Sequence, residues 1–202
     1  MINNLIDEIR EYGIKNDVPI MSVESIETIT KIIKDNNIHS ILEIGTAIAC
    51  STICLASIDG INKITSIERD NDRFEIAKSN VEKSKLENIE LIHDDALNTV
   101  INDMYDLIII DAAKSQNKRF LDKYKSNLNK NGIIIVDNLD FHGYVGKSSE
   151  IKSRNLRQMV RKIEKFLDYL NTQEEFSVEY LEVGDRMCLL KNQKSNWFFF
   201  IC

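Results

Sequence analysis

The 202-residue sequence is poor in the features that mark several classes of protein. It contains one proline, seven glycines and no low-complexity segment, which excludes collagen-like and disordered chains. No apolar run approaches the roughly 18 residues that cross a bilayer. The acidic N-terminal segment also lacks the basic start of a signal peptide. We therefore expect a folded, cytoplasmic protein without a membrane partner.

Two further absences concern zinc, redox and nucleic-acid chemistry. None of the four cysteines, at positions 50, 54, 188 and 202, forms a pair with the two-residue spacing of zinc knuckles and redox motifs. We interpret them as small apolar groups. The formal charge of −6 excludes a surface that is basic all over, but it leaves room for one basic face.

The length favours a single domain spanning residues 1–202. Helical periodicity over residues 3–14 and 23–34 predicts N-terminal helices within residues 1–36. Short apolar runs then alternate with helical patterns within a core of residues 37–191, and residues 192–202 form an aromatic tail. The runs cover residues 40–44, 63–67, 89–93, 106–110 and 132–136. Alternation of this kind predicts parallel strands covered by helices on both faces.

The last part of the core departs from this alternation. A helical pattern over residues 149–170 is followed by apolar runs at 176–181 and 186–191, with Val183-Gly184-Asp185 between them. Two such runs around a short turn predict an antiparallel hairpin. The predicted fold is therefore α/β, with a mainly parallel sheet of seven strands and a C-terminal hairpin.

Polar residues follow the first two predicted strands. Glu43 and Gly45 lie where the first strand gives way to a loop, and a helix is expected near Ser51. A glycine turn lets a ligand approach the backbone closely, and the helix directs its N–H groups at the ligand's negative end. Glu68 ends the second strand about 20 residues later, the offset at which an acid binds ribose hydroxyls. A solvated carboxylate is the structural alternative for Glu68.

A second group of polar residues follows the fourth and fifth strands. Asp111 ends one strand, Asp137 and Asn138 end the next, and Lys114 follows Asp111 by about one helical turn. Two carboxylates and an amide oxygen form a hard-oxygen site that suits Mg²⁺. A cation there would lower the pKa of a bound hydroxyl, and Lys114 could remove its proton if its own pKa were depressed.

The region from Lys147 to Lys165 holds seven basic and two acidic residues. Arg154, Arg157 and Arg161 recur at helical spacing, so one helix face could follow a phosphate backbone. A solvated helix face explains the same pattern equally often.

The strings VPIM, ILEIGTA, IERD, IDAAKSQ, VDN and VGD occur in this order between about Val18 and Lys191. In these strings the sequence resembles the cation-dependent class I S-adenosylmethionine O-methyltransferases, the group of the catechol and caffeoyl-CoA O-methyltransferases. Within that group, IDAAKSQ, DNLDFHGYV and the helix beginning RNLRQMVRKIE resemble the bacterial enzymes that methylate 5-hydroxyuridine at the wobble position of tRNA.

The resemblance implies a Rossmann-like fold, a homodimer, and S-adenosylmethionine with Mg²⁺ or Mn²⁺ as cofactors. The methyl donor would be bound by Met21, Val23, Glu43, Gly45, Ser51, Glu68, Asp95, Ala96 and Asp111. The cation would be bound by Asp111, Asp137 and Asn138, with Asp111 and Lys114 as catalytic residues and Lys114 as the base. A tRNA acceptor would bind along Lys147, Arg154, Arg157 and Arg161.

Two residues depart from the family pattern, which has glycine where this chain has Ala49 and Asp94. They make the contacts to the donor the least secure of those inferred. Two alternatives therefore stand beside a tRNA methyltransferase. One is an enzyme that uses the same cofactors on a small catechol-like molecule, and the other is a domain that binds the donor or RNA without turnover.

Overall fold

The computed structural model describes residues 2–193, which form two compact units divided after Ile101. The aromatic tail predicted from residue 192 onward lies outside the described residues from residue 194. That the whole chain acts as one methyltransferase domain stays a prediction.

The first unit contains four helices and a three-stranded parallel sheet in the order β3-β2-β1. The helices are α1 (Ile2–Lys15), α2 (Val23–Asp35), α3 (Cys50–Ala56) and α4 (Asn71–Ser84). The strands are β1 (Ser40–Ile44), β2 (Lys63–Glu68) and β3 (Ile89–His93). Helix α2 begins where the sequence predicts, because the Ser22 side chain accepts a hydrogen bond from the backbone N–H of Ser25.

The core of the first unit consists of apolar side chains from its strands and helices. Ile41, Leu42 and Ile44 of β1 are all fully buried, as expected of a strand that is covered on both faces. On the helical side, Ile9 of α1 packs in one cluster with Ile53 of α3 and with Ala77 of α4. The carboxyl ends of β1 and β2 therefore extend from a well-packed core.

The second unit contains two helices and four strands in the order β4-β5-β7-β6. Its elements are β4 (Tyr105–Ile110), α5 (Asn117–Tyr124), β5 (Leu128–Val136), α6 (Arg154–Thr172), β6 (Phe176–Leu181) and β7 (Met187–Asn192). Strands β4 and β5 are parallel, whereas β7 pairs antiparallel with both β5 and β6. This arrangement confirms the predicted C-terminal hairpin.

The long helix α6 starts later than the sequence predicts. The predicted start at residue 149 falls in a short 3₁₀ segment, Ser148–Glu150, and the α-helix begins at Arg154. The Ser153 side chain accepts a hydrogen bond from the backbone N–H of Leu156 and so caps the helix. Along residues 2–193, none of the helices combines the length and apolar character that crossing a membrane requires.

Strand β5 is irregular at its beginning. Tyr105 pairs with Leu128, but Leu107 pairs with Ile133, so β5 contains extra residues between these two pairs. Gly132 lies in this segment at a close approach to β4. A Cβ atom on Gly132 would lie 2.9 Å from the main-chain oxygen of Asp106 and 2.7 Å from Cδ1 of Leu128.

We predict that Gly132→Ala lowers the free energy of unfolding by about 1–3 kcal/mol, because the added methyl group meets backbone that must shift. Urea denaturation of the two proteins measures the difference. The neighbouring exposed residue provides a control, since Asn131→Ala should change stability by less than about 0.5 kcal/mol. Equal stability of the Gly132 variant and the parent would contradict the close packing of β4 and β5.

Candidate active site

The loop after β1 has an unusual backbone for its sequence. Gly45, Ala47 and Ala49 have φ angles of 104°, 49° and 65°, a region that favours glycine. The left-handed backbone conformation destabilises an alanine by about 1–2 kcal/mol. Burial of its methyl group stabilises the protein by about 0.8 kcal/mol. Ala49 is fully buried in the core cluster of the first unit, so packing partly compensates its conformation. The alanine at position 49, where the resemblance implies a glycine, is thereby accommodated.

Glu43 at the end of β1 is buried among hydroxyl groups. Its Oε1 accepts a hydrogen bond from Ser51 Oγ at 2.6 Å. Its Oε2 accepts from Thr52 Oγ1 at 2.5 Å and from Ser66 Oγ at 2.6 Å. The carboxylate therefore ties β1 to the start of α3 and to β2. The sequence predicts Glu43 and Ser51 as donor-binding residues, and the structure brings the two side chains together.

Glu68 at the end of β2 accepts hydrogen bonds from main-chain groups. Its Oε2 accepts from the N–H of Ala47 at 2.8 Å. Its Oε1 accepts from the N–H groups of Arg69 and Asp70 at 2.9 and 2.8 Å. The side chain is 7% exposed, so it is no solvated strand-end acid. Glu68 holds the glycine-containing loop to the end of β2.

The turn after β3 contains the other unusual residue, Asp94. Its backbone N–H donates to the carbonyl of Glu68, and its side chain accepts from the N–H of Asp95 and the hydroxyl of Thr99. Asp94 thus stabilises the turn that leads to the buried Ala96. Asp95 and Ala96, which the resemblance implies as donor-binding residues, lie in this same turn next to Glu68.

Met21 and Val23 precede and begin α2. Met21 is buried, and its carbonyl accepts a hydrogen bond from the Arg10 guanidinium at 3.2 Å. Val23 is half exposed. A contact of either residue with the methyl donor stays a prediction.

The second unit carries a group of polar side chains at the carboxyl ends of β4 and β5. Asp137 is 2% exposed, and its Oδ1 is buried without a hydrogen-bond partner. Burial, followed by the nearby charge of Asp111, raises the pKa of Asp137 to about 6. Asn138 Nδ2 lies 3.2 Å from Asp111 Oδ1 and 3.4 Å from Asp137 Oδ2. The three side chains predicted to bind a cation are therefore together.

The donor set fits a hard cation. A buried carboxylate oxygen without a partner costs free energy that a bound cation would return. The site holds two carboxylates and one amide, and within residues 2–193 no group of three or more His, Cys, Asp or Glu side chains is arranged so that it could hold a metal ion. Oxygen ligands of this kind, completed by water or substrate oxygens, suit Mg²⁺ rather than zinc.

Lys114 also belongs to this group. Its Nζ donates a hydrogen bond to Asp111 Oδ1 at 2.5 Å, and both side chains are mostly buried. Only the neutral amine has a lone pair that can accept a proton, so a base role requires Lys114 in its neutral form. The base role remains a proposal.

Two residues of the second unit were not identified from sequence. Asn117 is 1% exposed, and neither its carboxamide oxygen nor its nitrogen has a hydrogen-bond partner. Asp185 in the turn of the β6–β7 hairpin binds the segment after Asn138. The motifs IDAAKSQN and VGD contain both residues, but only burial and long-range contacts distinguish them from surface polar residues.

The basic residues near α6 do not all behave alike. The Arg157 guanidinium donates to the carbonyls of Ile151 and Lys152, so it stabilises the segment before the helix. Arg154 and Arg161 are exposed, as are Lys147, Lys162 and Lys165. The predicted basic face exists, but Arg157 already has partners within the chain.

Comparison with known proteins shows which family the chain is similar to. The O-methyltransferase family model matches residues 2–193. A Staphylococcus aureus protein described as a candidate caffeoyl-CoA O-methyltransferase has a crystal structure that matches with a TM-score of 0.88 and 35% identity, covering 93% of this chain and 91% of that one. The match confirms the predicted Rossmann-like fold with a mainly parallel seven-stranded sheet.

Two more distant proteins, both described as O-methyltransferases, also match the chain. A caffeoyl-CoA O-methyltransferase from Populus kitakamiensis is 23% identical over 193 residues, which cover 90% of this chain and 81% of the plant protein. An O-methyltransferase from Bacillus cereus, solved in complex with SAH, shares the fold with a TM-score of 0.76 at 22% identity, covering 94% of this chain and 91% of that one. The chain therefore belongs to the O-methyltransferase family.

Proposed function

We propose that this protein transfers the methyl group of S-adenosylmethionine to a hydroxyl oxygen, with Mg²⁺ or Mn²⁺ bound at Asp111, Asp137 and Asn138. The observation that carries the proposal is the buried Asp137 carboxylate with an unpartnered oxygen beside a second carboxylate and an amide. These groups form an oxygen-rich site in a chain whose family transfers methyl groups to oxygen.

The first unit offers the features that a nucleoside donor requires. The loop at Gly45 exposes backbone at the end of a strand, and Glu68 lies beside it with a fixed carboxylate. Such an acid is the usual acceptor for ribose hydroxyls at the end of a second strand. The SAH bound to the Bacillus cereus relative supports the same donor here.

The second unit offers the features that an acceptor hydroxyl requires. A divalent cation supplies the positive charge that lowers the pKa of a hydroxyl and favours its anion. Asp137 and Asp111 would hold the negative charge that binds the cation, and a neutral Lys114 would accept the hydroxyl proton at its Nζ. A cation bound at Asp111 would compete with the hydrogen bond that Lys114 Nζ donates to that carboxylate.

For the acceptor we propose 5-hydroxyuridine in tRNA. Support comes from the exposed basic residues along α6, among them Arg154, Arg161 and Lys165, in a chain whose net charge is −6. Basic side chains at helical spacing provide the contacts to phosphates that RNA binding needs. A small catechol-like acceptor is the second candidate, favoured by the caffeoyl-CoA O-methyltransferase among the relatives. The intact set of Asp111, Lys114, Asp137 and Asn138 argues against a domain without turnover.

The role of Glu68 predicts a specific pattern of donor affinities. Wild-type protein should bind S-adenosylhomocysteine about 10- to 100-fold more tightly than its 2′,3′-dideoxy analogue, because the analogue lacks the hydroxyls that donate to a charged acceptor. In Glu68→Gln the two ligands should bind with closer affinities. Calorimetry measures both, and Glu90→Gln on the exposed edge of β3 serves as control. An unchanged ratio in Glu68→Gln would remove Glu68 from the ribose site.

The proposed cation site predicts that the protein binds Mn²⁺ and that methyl transfer requires the bound cation. Asp137→Asn should weaken Mn²⁺ binding by roughly tenfold or more, because a neutral amide replaces a charged ligand. Asp168→Asn changes the same residue types on the exposed side of α6 and should have no effect. Excess chelator should abolish methyl transfer, and Mg²⁺ or Mn²⁺ should restore it. Tight Mn²⁺ binding by Asp137→Asn, or full turnover in chelator, would refute the site.

The acceptor prediction compares two substrates. Reversal of charge at Arg154 and Arg161 should raise KM for tRNA that carries 5-hydroxyuridine. The slope of log affinity against log salt concentration should become less negative by about 1 per lost phosphate contact. Turnover of a small catechol should change little, because a catechol has no phosphate backbone. Lys31→Glu with Lys34→Glu on α2 makes an equal change of net charge at exposed positions as control. Unchanged tRNA kinetics, or a strong preference for catechols, would favour the second candidate.

A further inference from the structure

The turn of the β6–β7 hairpin lies against the segment that follows the proposed cation ligands. The backbone N–H of Leu139 donates to the carbonyl of Arg186 at 2.8 Å, and that of Asp140 donates to the carbonyl of Asp185 at 3.0 Å. The register of β5 and β7 explains this proximity, since Val136 at the end of β5 pairs with Cys188 near the start of β7.

The Asp185 side chain adds the strongest of these contacts. Its two carboxylate oxygens lie 2.8 and 2.9 Å from the backbone nitrogen of His142, and Oδ2 lies 3.5 Å from the His142 ring nitrogen Nδ1. The carboxylate is mostly buried, with 20% of the side chain exposed. A charged acceptor on a backbone N–H makes a stronger hydrogen bond than a neutral one.

The segment that Asp185 holds has a backbone that side chains disfavour. Asn138, Phe141 and His142 have φ angles of 61°, 46° and 58°, followed by Gly143 at 74°. Left-handed conformations at non-glycine residues persist only where surrounding contacts impose them. Asp185 and Arg186 accept hydrogen bonds from the backbone N–H groups of Leu139, Asp140 and His142 in this segment.

The same segment contains three side chains with planar rings. Tyr144 is 41% exposed and the His142 side chain is 74% exposed, while Phe141 is half-buried with its ring centroid 5.2 Å from that of His142. These rings begin three residues after Asn138, a proposed cation ligand. Planar side chains at such a place suit an acceptor whose hydroxyl is attached to a flat ring.

We infer that Asp185 is a positioning residue, which holds the segment Leu139–Gly146 so that its rings bind the planar ring of the acceptor. This inference rests on the proposed methyl transfer and adds to it the residue that sets acceptor affinity. Asp185 touches neither donor nor acceptor in this role. It acts through the backbone of His142.

The first part of the experiment tests the anchor without any activity. Native-state hydrogen exchange should show the His142 amide exchanging about tenfold faster or more in Asp185→Ala, because its charged acceptor is lost. Asp185→Asn keeps one acceptor oxygen and should give an intermediate rate. Glu179→Ala, an exposed position on the adjoining strand β6, is the control that should leave the rate unchanged. Equal His142 rates in all four proteins would overturn the inference.

The second part tests the consequence for the acceptor. In Asp185→Ala, KM for the acceptor should rise about tenfold, partly recovered in Asp185→Asn, while the affinity for S-adenosylhomocysteine stays within about twofold. A loss of folded protein alone would lower kcat and leave KM unchanged, and that result would overturn the acceptor role. In a Tyr144→Ala background, Asp185→Ala should add little to KM if both act through one segment.

The two parts separate this inference from the proposed function. If wild-type protein methylates neither hydroxylated tRNA nor catechols, the proposed function fails and the acceptor role of Asp185 fails with it. Faster exchange of His142 in that case would still establish Asp185 as the anchor of the segment. Should Asp185→Ala fold poorly, Asp185→Asn provides both the exchange rate and the ratio of KM values.

Discussion

Removal of a carboxylate from water costs several kilocalories per mole unless hydrogen bonds or opposite charges replace the lost hydration, and this constraint organises the ends of the strands. Glu43 and Glu68 each accept three hydrogen bonds from hydroxyl or main-chain donors. Asp137 is as deeply buried but retains an oxygen without a partner. The first two acids are compensated within the protein, whereas one oxygen of Asp137 is not. On the proposed function, a bound cation would compensate it.

Two of the loops with left-handed backbone, those after β1 and β5, share one principle of construction. In each, a mostly buried carboxylate from another strand end or turn accepts a main-chain N–H of the strained segment. Glu68 accepts from Ala47 in the loop after β1, and Asp185 accepts from His142 in the loop after β5. A strained loop so held is already in one conformation when a ligand arrives, so binding has less conformational entropy to remove. The acids in IERD and VGD thereby shape loops at a distance from their own positions in the sequence.

Local signals allowed much of the fold to be predicted from the sequence. Strands β1 and β3 have the predicted bounds, since each is a short apolar run between helical patterns. The start of α6 was placed five residues early, because the pattern of apolar residues does not reveal that Ser153 is the cap. The groups around Glu43 and Asp137 were also predicted, since residues at the carboxyl ends of parallel strands meet at one edge. The burial of Asn117 and the contacts of Arg157 and Asp185 depend on how distant segments pack, which a periodic pattern does not contain.

On the proposed function, the choice of acceptor depends on different residues from those that would bind the cation and remove the hydroxyl proton. A cation bound at Asp111 and Asp137 would favour the anion of any acidic hydroxyl, whether on a catechol or on a modified uracil. A polynucleotide adds binding free energy through its phosphates, and that contribution needs exposed positive charge such as Arg154 and Arg161 provide. The rings of the Leu139–Gly146 segment would serve either acceptor, since both are planar. On this proposal the basic face of α6 decides between the two candidates, while the cation site and the ring-bearing segment are common to both.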